Sequence, residues 1–153
     1  MKKSKLEESN NMKYFLLVAL LILLPGCSNS PLAGEAPPAL QIIVANESYE
    51  AKLGTYCWGN KCEDAVEPMA LVETFIQVVA GESVELKMNK PTPSEVQLTE
   101  LTADNKTMPI KIEQQHFVAP LKPGTYYYSY SAWWQEGDQT QGNAHYAFAL
   151  EIK

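Results

Sequence analysis

Short segments of alternating apolar and polar residues, separated by turns that contain proline or glycine, constrain the fold of this chain most. Residues 83–89 read SVELKMN and residues 144–153 read AHYAFALEIK, and both have a period of two, which is typical of strands with one buried and one hydrated face. Other strand-like segments span residues 40–46, 48–58, 74–80, 95–101, 108–114 and 116–120. Helix is expected only in residues 64–71, where Pro68 limits it to one or two turns. Seven to nine strands in a body of about 115 residues predict an all-β fold, either an antiparallel β-sandwich or, as the alternative, a single closed barrel.

A turn followed by a tyrosine adds detail to this prediction. Residues 122–126 read KPGTY and lead into a strand-like stretch that ends at Trp134. This motif resembles the tyrosine corner of Ig-like domains, in which a tyrosine shortly after a turn hydrogen-bonds back to the backbone. The resemblance implies an Ig-like antiparallel β-sandwich. A final hairpin, with a polar loop at residues 135–143, is expected to complete it.

Strand parity divides the residues after this turn between two faces. Tyr126, Tyr128 and Tyr130 share one face, which we expect to point into the core. Tyr127 and Trp133 lie on the opposite face, which we expect to be the outer one.

The N-terminal 30 residues have the organisation of a secretory signal. Four lysines precede an apolar run of eleven residues, from Tyr14 to Leu24. A membrane-spanning helix needs roughly 20 apolar residues, so this run is too short to span and fits the apolar part of a signal peptide. Translation starts at Met1 or at Met12, and either start gives the same mature chain.

The apolar run ends in the sequence LPGC at residues 24–27, which resembles the lipobox of bacterial lipoproteins. The resemblance implies cleavage before Cys27 and acylation of this cysteine, which anchors the mature chain to the extracytoplasmic face of the cell membrane. Residues 28–38 are small, polar and proline-rich, as is typical of a flexible tether. We therefore expect a signal peptide at residues 1–26, the lipidated cysteine and tether at residues 27–39, and the folded domain at residues 40–153.

The charge of the chain argues against nucleic acid as a partner. The chain contains 12 lysines, no arginine and 18 acidic residues, for a formal net charge of −6. Removal of residues 1–26 takes away four lysines and two glutamates, which leaves a net charge of −8. An acidic chain repels nucleic acid and anionic lipid, and this one lacks the arginines that bind phosphate with two hydrogen bonds. Contact with the membrane is therefore expected through the N-terminal lipid.

A pair of cysteines, Cys57 and Cys62, encloses the tetrapeptide WGNK. Outside the cytoplasm such pairs form disulfides, and the Gly59-Asn60 sequence favours a turn between them. The chain-entropy model predicts a stabilisation of roughly 2 kcal/mol for a loop of this size. A redox pair and a metal site are the alternatives, but the first favours a Cys-x-x-Cys spacing and the second needs two further ligands.

Residues in or near two predicted loops are the candidate binding residues. Trp58 lies inside the cysteine loop, whereas Tyr127 and Trp133 lie on the outer face beside the polar loop that contains Glu136 and Asp138. Exposed aromatic residues with polar neighbours are typical of binding surfaces. The alternative is that Trp58 covers the core and that a bulge turns Trp133 inward.

The sequence predicts no catalytic site, no cofactor and no metal site. His116 and His145 lie in strand-like segments, and the outward parity of His145 predicts a hydrated side chain. No serine lies in the glycine-flanked elbow of serine hydrolases, and the sequence contains no glycine-rich phosphate-binding loop. A calcium site at Glu136 and Asp138 is the alternative for these two carboxylates.

These features together predict a non-catalytic, lipid-anchored domain that binds a protein, a peptide or a cell-wall component outside a bacterial cell membrane. The chain resembles small lipoproteins of Gram-positive bacteria that have an Ig-like body, a resemblance that implies no activity. An envelope protease inhibitor is the alternative, because the Pro-Gly-x-Tyr turn at residues 123–126 is similar to one in the Ig-like proteinase inhibitors of bacilli. A loop closed by a disulfide is also pre-organised to enter a protease cleft. An enzyme or metal carrier is the third hypothesis.

Overall fold

The computed structural model describes residues 32–102, 104 and 106–153. The expected signal peptide at residues 1–26 and the expected lipidation site Cys27 lie outside the described residues. The elements, in chain order, are β1 Leu40–Val44, β2 Glu47–Glu50, β3 Lys52–Trp58, β4 Lys61–Glu63, α1 Pro68–Leu71, β5 Ile76–Val78, β6 Ser83–Met88, β7 Glu95–Leu101, β8 Thr107–Ile110, β9 His116–Val118, β10 Gly124–Glu136 and β11 Gln139–Ile152. In this part of the chain, no helix has the length and apolar character needed to cross a membrane.

The strands form two sheets that make an all-β sandwich. The smaller sheet has the order β2-β1-β6-β9, and the larger has the order β4-β3-β11-β10-β7-β8. These neighbours pair antiparallel, and β5 adds one parallel pair at the C-terminal end of β11. The predicted antiparallel sandwich is confirmed, and the closed barrel is wrong. There are more strands than the predicted seven to nine because residues 48–58 divide into β2 and β3 and because residues 61–63 add the short strand β4.

Alternate residues of the long strands β10 and β11 fill the space between the sheets. Tyr128 and Tyr130 are buried and Tyr126 packs against the core, which confirms the predicted inner face. Tyr128 stacks on Phe148 of β11 at 5.1 Å between ring centroids, and it meets Phe117 of the smaller sheet at 5.3 Å. Because each buried aromatic side chain removes about 150–250 Å² from water, this cluster is a main contact between the sheets.

The turn before β10 has the hydrogen bond that a tyrosine corner requires. The hydroxyl of Tyr126 donates to the backbone carbonyl of Lys122 at 3.0 Å. The local geometry expected from the KPGTY sequence is therefore confirmed. This bond fixes the start of β10, the strand that carries several of the candidate binding residues.

The final hairpin is tighter than predicted. β10 and β11 pair as far as Glu136 and Gln139, so that only Gly137 and Asp138 remain for the turn. Gly137 has a φ of +59°, which glycine adopts at little cost. The predicted polar loop at residues 135–143 is wrong, because most of its residues continue the two strands.

The segment before β1 packs on the sandwich. Leu32 is buried, and backbone carbonyls of this segment accept hydrogen bonds from the side chains of Trp58 at 3.2 Å and Tyr146 at 2.7 Å. The expected tether at residues 27–39 therefore contacts the folded domain at Leu32, Gly34 and Pro38. The proline-rich sequence of this segment has no periodicity from which this packing could be predicted.

The turn between β1 and β2 offers a test of backbone strain. Ala45 and Asn46 have φ values of +48° and +69°, and a left-handed conformation costs an alanine about 1–2 kcal/mol. Asn followed by Gly is the preferred sequence when both turn residues have positive φ. We therefore expect the double variant Ala45→Asn/Asn46→Gly to raise the free energy of unfolding, measured in urea, by about 1 kcal/mol.

The turn after β3 allows the opposite substitution, in which a glycine with positive φ is replaced by a residue that disfavours it. Gly59 has a φ of +58°, and no atom lies within 4 Å of a Cβ added there, so the backbone conformation alone disfavours other residues. Gly59→Ala is expected to lower the free energy of unfolding by about 1 kcal/mol. Unchanged urea midpoints in both variants would show that the positive φ values in these turns do not affect the free energy of unfolding.

Candidate binding surface

The predicted disulfide between Cys57 and Cys62 is present, with an S–S distance of 1.98 Å. The two cysteines lie directly opposite each other in β3 and β4. Only Gly59 and Asn60 remain for the turn, and the positive φ of Gly59 suits the first position of a two-residue hairpin turn. The disulfide thus cross-links a two-stranded ribbon at the edge of the larger sheet, where a disulfide-closed loop was expected.

Trp58 is not part of the surface, and its prediction as a binding residue is wrong. Its side chain is 4% exposed, its Nε1 donates to the carbonyl of Gly34 at 3.2 Å, and its ring meets that of Trp134 edge-on at 4.8 Å between centroids. Because β3 continues to Trp58, parity places this side chain on the same inner face as Tyr56. The alternative, in which Trp58 covers the core, is confirmed.

The outer face of the larger sheet brings the disulfide close to Trp133. Cys57 lies opposite Asn143 of β11, and Asn143 lies opposite Trp133 of β10. Since neighbouring strands are about 4.8 Å apart, the backbones of Cys57 and Trp133 are about 10 Å apart. Trp133 is half-buried on this outer face, as predicted, and the register shift in β10 comes only after the next residue. Cys57, Asn143 and Trp133 thus form one row across the strands, and Glu95 of β7 extends this row beyond Trp133.

The next row of the same face contains a hydrogen-bonded serine and histidine. Ser131 Oγ and His145 Nδ1 are 2.8 Å apart, and the two residues lie opposite each other in β10 and β11. The rings of Trp133 and His145 meet edge-on at 6.3 Å between centroids. We call the two rows together the Trp133 surface, which consists of Cys57, Cys62, Ser131, Trp133, Asn143 and His145.

His145 is less hydrated than its outward parity predicts. The imidazole is half-buried, and burial lowers its pKa below the ordinary value of 6.5 because desolvation disfavours the charged form. The imidazole is therefore uncharged at neutral pH. Sequence parity could not reveal this burial, since it depends on packing against residues 64–75, which cross the same face.

We expect His145 to make the fold less stable at acidic pH. The unfolded chain takes up a proton at this histidine near its ordinary pKa of 6.5, whereas the folded chain takes it up only at lower pH. The stabilisation is therefore complete above about pH 6.5 and is lost as the pH falls through the lowered pKa of the folded state. Urea midpoints measured from about pH 7.5 to about pH 5 should fall less in His145→Gln than in the wild type.

Burial of Glu100 acts on stability in the opposite direction. It raises the pKa of this carboxyl, so the stability that Glu100 contributes is present at low pH and is lost as the pH rises. The test therefore compares how steeply the urea midpoint changes with pH in His145→Gln and in the wild type. Identical slopes would contradict the contribution of His145.

Residues 64–75 cross the outer face at the other end of β10. Helix α1 is a single turn within the predicted helical segment, and Phe75 meets Tyr127 edge-on at 6.0 Å between ring centroids. Tyr127 lies six residues from Trp133 along the strand, a distance of about 20 Å. The structure therefore does not bring Tyr127 into the Trp133 surface, and its predicted place beside the loop at residues 135–143 is wrong.

A cavity of about 250 Å³ remains beneath the crossing segment. It lies between Leu71 and Val66 of this segment and Ser129 and His145 of the sheet. Its volume is below the range of about 300–1,000 Å³ that is usual for small-molecule pockets. The cavity extends the Trp133 surface with a recess beside His145.

Glu136 and Asp138 lie at the tip of the last hairpin. Glu136 pairs with Gln139, Asp138 belongs to the turn, and both side chains are exposed. Calcium takes six to eight oxygen ligands. In the part of the chain that the structure describes, no three aspartate, glutamate, histidine or cysteine side chains lie together as a metal-binding group. The two carboxylates place negative charge beyond the end of the Trp133 surface.

Apart from the two disulfide cysteines, three residues of the Trp133 surface were not predicted individually as binding residues: Ser131, Asn143 and His145. Parity along residues 126–134 and 144–152 assigns Ser131 and His145 to the outer face. Their alignment with the disulfide depends on β11 lying between β3 and β10, an order that no local pattern specifies.

The Trp133 surface offers an indole, an amide, a hydroxyl and a neutral imidazole to a ligand. A catalytic serine needs a base that is itself oriented by a third group. Among the described residues, His145 hydrogen-bonds to Ser131 and to no carboxylate. No protein-family model, no curated protein and no solved structure matches this chain.

Proposed function

We propose that the chain is a membrane-anchored extracytoplasmic lipoprotein whose sandwich binds a protein, a peptide or a cell-wall component through the Trp133 surface. The signal-like N-terminus and the LPGC sequence at residues 24–27 support the anchor. One observation carries the binding role: the strand order aligns Trp133 with the disulfide ribbon and with the Ser131–His145 pair. An aromatic residue among hydrogen-bonding groups is typical of the energetic centre of an interface.

The Trp133 surface is held rigid from both sides. Trp133 lies in a strand that pairs with β7 and β11, and the disulfide joins β3 to β4 in the same transverse row. The bond between Ser131 and His145 fixes the orientation of the imidazole. Because little conformational freedom remains to be lost, a ligand binds to such a surface at a low entropic cost.

Charge around the Trp133 surface limits the kind of ligand. The surface itself has no formal charge at neutral pH, since burial keeps His145 uncharged. Glu95 lies at one end of its first row, and Glu136 and Asp138 lie at the hairpin tip beyond it. Electrostatic complementarity therefore favours a neutral or basic ligand over an acidic one.

Trp133→Ala tests this function. Replacement of a central tryptophan in an interface typically costs 2 kcal/mol or more, so we expect the variant to bind at least about 30-fold more weakly to isolated cell-wall and membrane-protein fractions of the host. Binding is measured by sedimentation of residues 27–153 with Cys27→Ser, because a lipidated chain would sediment with membranes whatever its Trp133 surface binds. Val118→Ala is the matched control, because Val118 is 67% exposed on β9 of the other sheet. Equal binding by Trp133→Ala and the wild type would contradict the proposal.

The disulfide ribbon supports inhibition of an envelope protease as a second function. Gly59 and Asn60 are exposed at its tip, and the disulfide holds them on a rigid support. Pre-organised segments bind protease clefts with a small loss of conformational entropy. A titration of subtilisin distinguishes the two functions: an inhibitor reduces its activity in proportion to the protein added, and full activity at micromolar protein removes this alternative.

A further inference from the structure

A groove of about 330 Å³ opens between the sheets, away from the Trp133 surface. Its floor consists of Leu86, Leu98 and Tyr130, which are buried and belong to both sheets. Its remaining walls are formed by Val96, Gln97, Pro109, Ile110, Ile112, Gln114 and Gln115. The volume lies within the usual range of about 300–1,000 Å³ for small-molecule sites.

Tyr130 lines this groove, and its hydroxyl differs in its hydrogen bonding from those of two other tyrosines. The hydroxyls of Tyr126 and Tyr146 donate to backbone carbonyls, whereas that of Tyr130 has no hydrogen-bond partner among the described residues. Tyr130 as a whole is only 5% exposed. In the described part of the chain, however, every fully buried side-chain oxygen or nitrogen has a hydrogen-bond partner, so a hydroxyl without a partner is not fully buried. Its hydroxyl must therefore reach accessible space, and the groove is the space that Tyr130 lines.

The Tyr130 hydroxyl remains a hydrogen-bond donor at neutral pH. Burial raises the pKa of Tyr130 to about 12, because the phenolate is disfavoured away from water. A donor on an apolar floor gains most from a ligand that brings a hydrogen-bond acceptor.

The rim of the groove is polar but uncharged. Gln114 and Gln115 form a turn in which both have positive φ, +49° and +67°, and the carbonyl of Gln115 accepts a hydrogen bond from the backbone of Leu86 at 2.7 Å. Strained backbone of this kind persists only where the surrounding structure holds it, so the rim is pre-formed. No lining residue is ionisable apart from the tyrosine, so a charged ligand would lose its hydration without gaining an ion pair.

We propose that this groove binds a small, neutral, mainly apolar molecule that carries one hydrogen-bond acceptor. The apolar part lies between the sheets against Leu86 and Leu98, and the acceptor takes the hydrogen bond of the Tyr130 hydroxyl. This site goes beyond the proposed function, because it shares no residue with the Trp133 surface and does not depend on a membrane anchor.

Two probes of similar shape test the groove, 2-acetylnaphthalene with a carbonyl acceptor and 2-ethylnaphthalene without one. The protein is residues 27–153 with Cys27→Ser, which contain all of the described strands and carry no lipid that competes for an apolar probe. We expect saturable binding with one equivalent of 2-acetylnaphthalene, seen as NMR shifts at the groove residues. 2-Ethylnaphthalene should bind about 5-fold more weakly, the effect of one hydrogen bond.

Tyr130→Phe keeps the ring and removes the donor. It should reduce the affinity for 2-acetylnaphthalene to that for 2-ethylnaphthalene and leave the latter unchanged. Val96→Trp should fill the mouth of the groove and abolish the binding of both probes, whereas Val118→Trp, on an exposed strand of the other sheet, should change neither.

The proposal is overturned by any of three results. These are the absence of saturable binding, shifts centred on residues outside the groove, and full affinity of Tyr130→Phe for 2-acetylnaphthalene. If Val96→Trp does not fold, Tyr130→Phe and the map of NMR shifts decide the outcome.

Discussion

Replacement of Trp58 by alanine is expected to lower the free energy of unfolding by about 3–5 kcal/mol, as is typical of a buried tryptophan. The indole is 4% exposed, packs edge-on against Trp134 and donates to the carbonyl of Gly34. Its loss leaves a cavity and a carbonyl without its donor. Since the free energy of unfolding of a small domain is about 5–15 kcal/mol, the variant loses a large part of its stability.

The packing around Gly142 explains why this site cannot collapse easily. A Cβ added to Gly142 would lie 2.8 Å from Leu32 and 3.0 Å from Trp58, so the three residues are in close contact. Removal of the indole therefore also loosens residues 32–39, whose hydrogen bond to Trp58 is lost with it. Faster proteolysis in this segment should accompany the fall in stability.

Urea denaturation followed by circular dichroism measures the effect of Trp58→Ala. Trp133→Ala is the matched control, because Trp133 is half-buried on the outer face and its loss should cost about 1 kcal/mol. Trp58→Phe keeps an aromatic ring but has no N–H, and its urea midpoint should lie between those of Trp58→Ala and Trp133→Ala. Equal midpoints for Trp58→Ala and Trp133→Ala would contradict the assignment of Trp58 to the core.

Strand parity was sufficient to predict the buried faces of β10 and β11. Tyr128 and Tyr146 are buried, as the alternation of their segments predicts. The outer face of β11 is not hydrated throughout, however, because Ala147 and Ala149 on that face are buried as well. The hydrogen bond of Tyr126 was predictable as well, since it joins residues four apart at a turn that contains proline and glycine. These features depend on local sequence.

Trp58 shows how a local pattern can be misinterpreted. Residues 48–58 were predicted as strand, and the parity of Tyr56 then assigns Trp58 to the inner face. The error came from treating the whole cysteine loop as exposed. The Gly59-Asn60 sequence indicates a two-residue turn, which leaves Trp58 inside the strand.

The Trp133 surface and the packing of residues 32–39 depend on contacts between distant parts of the chain. The row from Cys57 to Trp133 exists because β11 lies between β3 and β10. Periodicity shows which face a residue occupies but not which strand lies beside it. For the same reason the burial of His145 could not be predicted, since it depends on the path of residues 64–75 across the sheet.

Cys27→Ser is expected to move the protein from the membrane fraction to the soluble extracytoplasmic fraction. Two acyl chains bury dozens of methylene groups at about 0.8 kcal/mol each, which makes anchoring effectively permanent. The apolar run of eleven residues before Cys27 cannot replace them, because a spanning helix needs roughly 20. Cell fractionation with an immunoblot measures the change, and mass spectrometry of the N-terminal peptide identifies the lipid.

Two further variants separate the anchor from the fold. The double variant Cys57→Ser/Cys62→Ser removes the disulfide and should remain in the membrane fraction, because retention depends on the lipid alone. Trp58→Ala should also remain there as long as the protein survives proteolysis. An unmodified Cys27 in the wild type, or retention of Cys27→Ser at the membrane, would contradict the lipoprotein assignment.

The position of Leu32 gives the proposed lipid anchor a consequence for ligand binding. Leu32 packs beside Trp58 and Gly142, at the end of the strands that also carries the Trp133 surface. The five residue steps from Cys27 to Leu32 span at most about 18 Å, so a lipid on Cys27 would hold this end of the sandwich near the bilayer. Insertion of about 20 glycine and serine residues after Ser30 adds a flexible spacer of roughly 25 Å. Because the spacer leaves the lipid in place, the protein should stay in the membrane fraction while its capture of a membrane-embedded partner weakens.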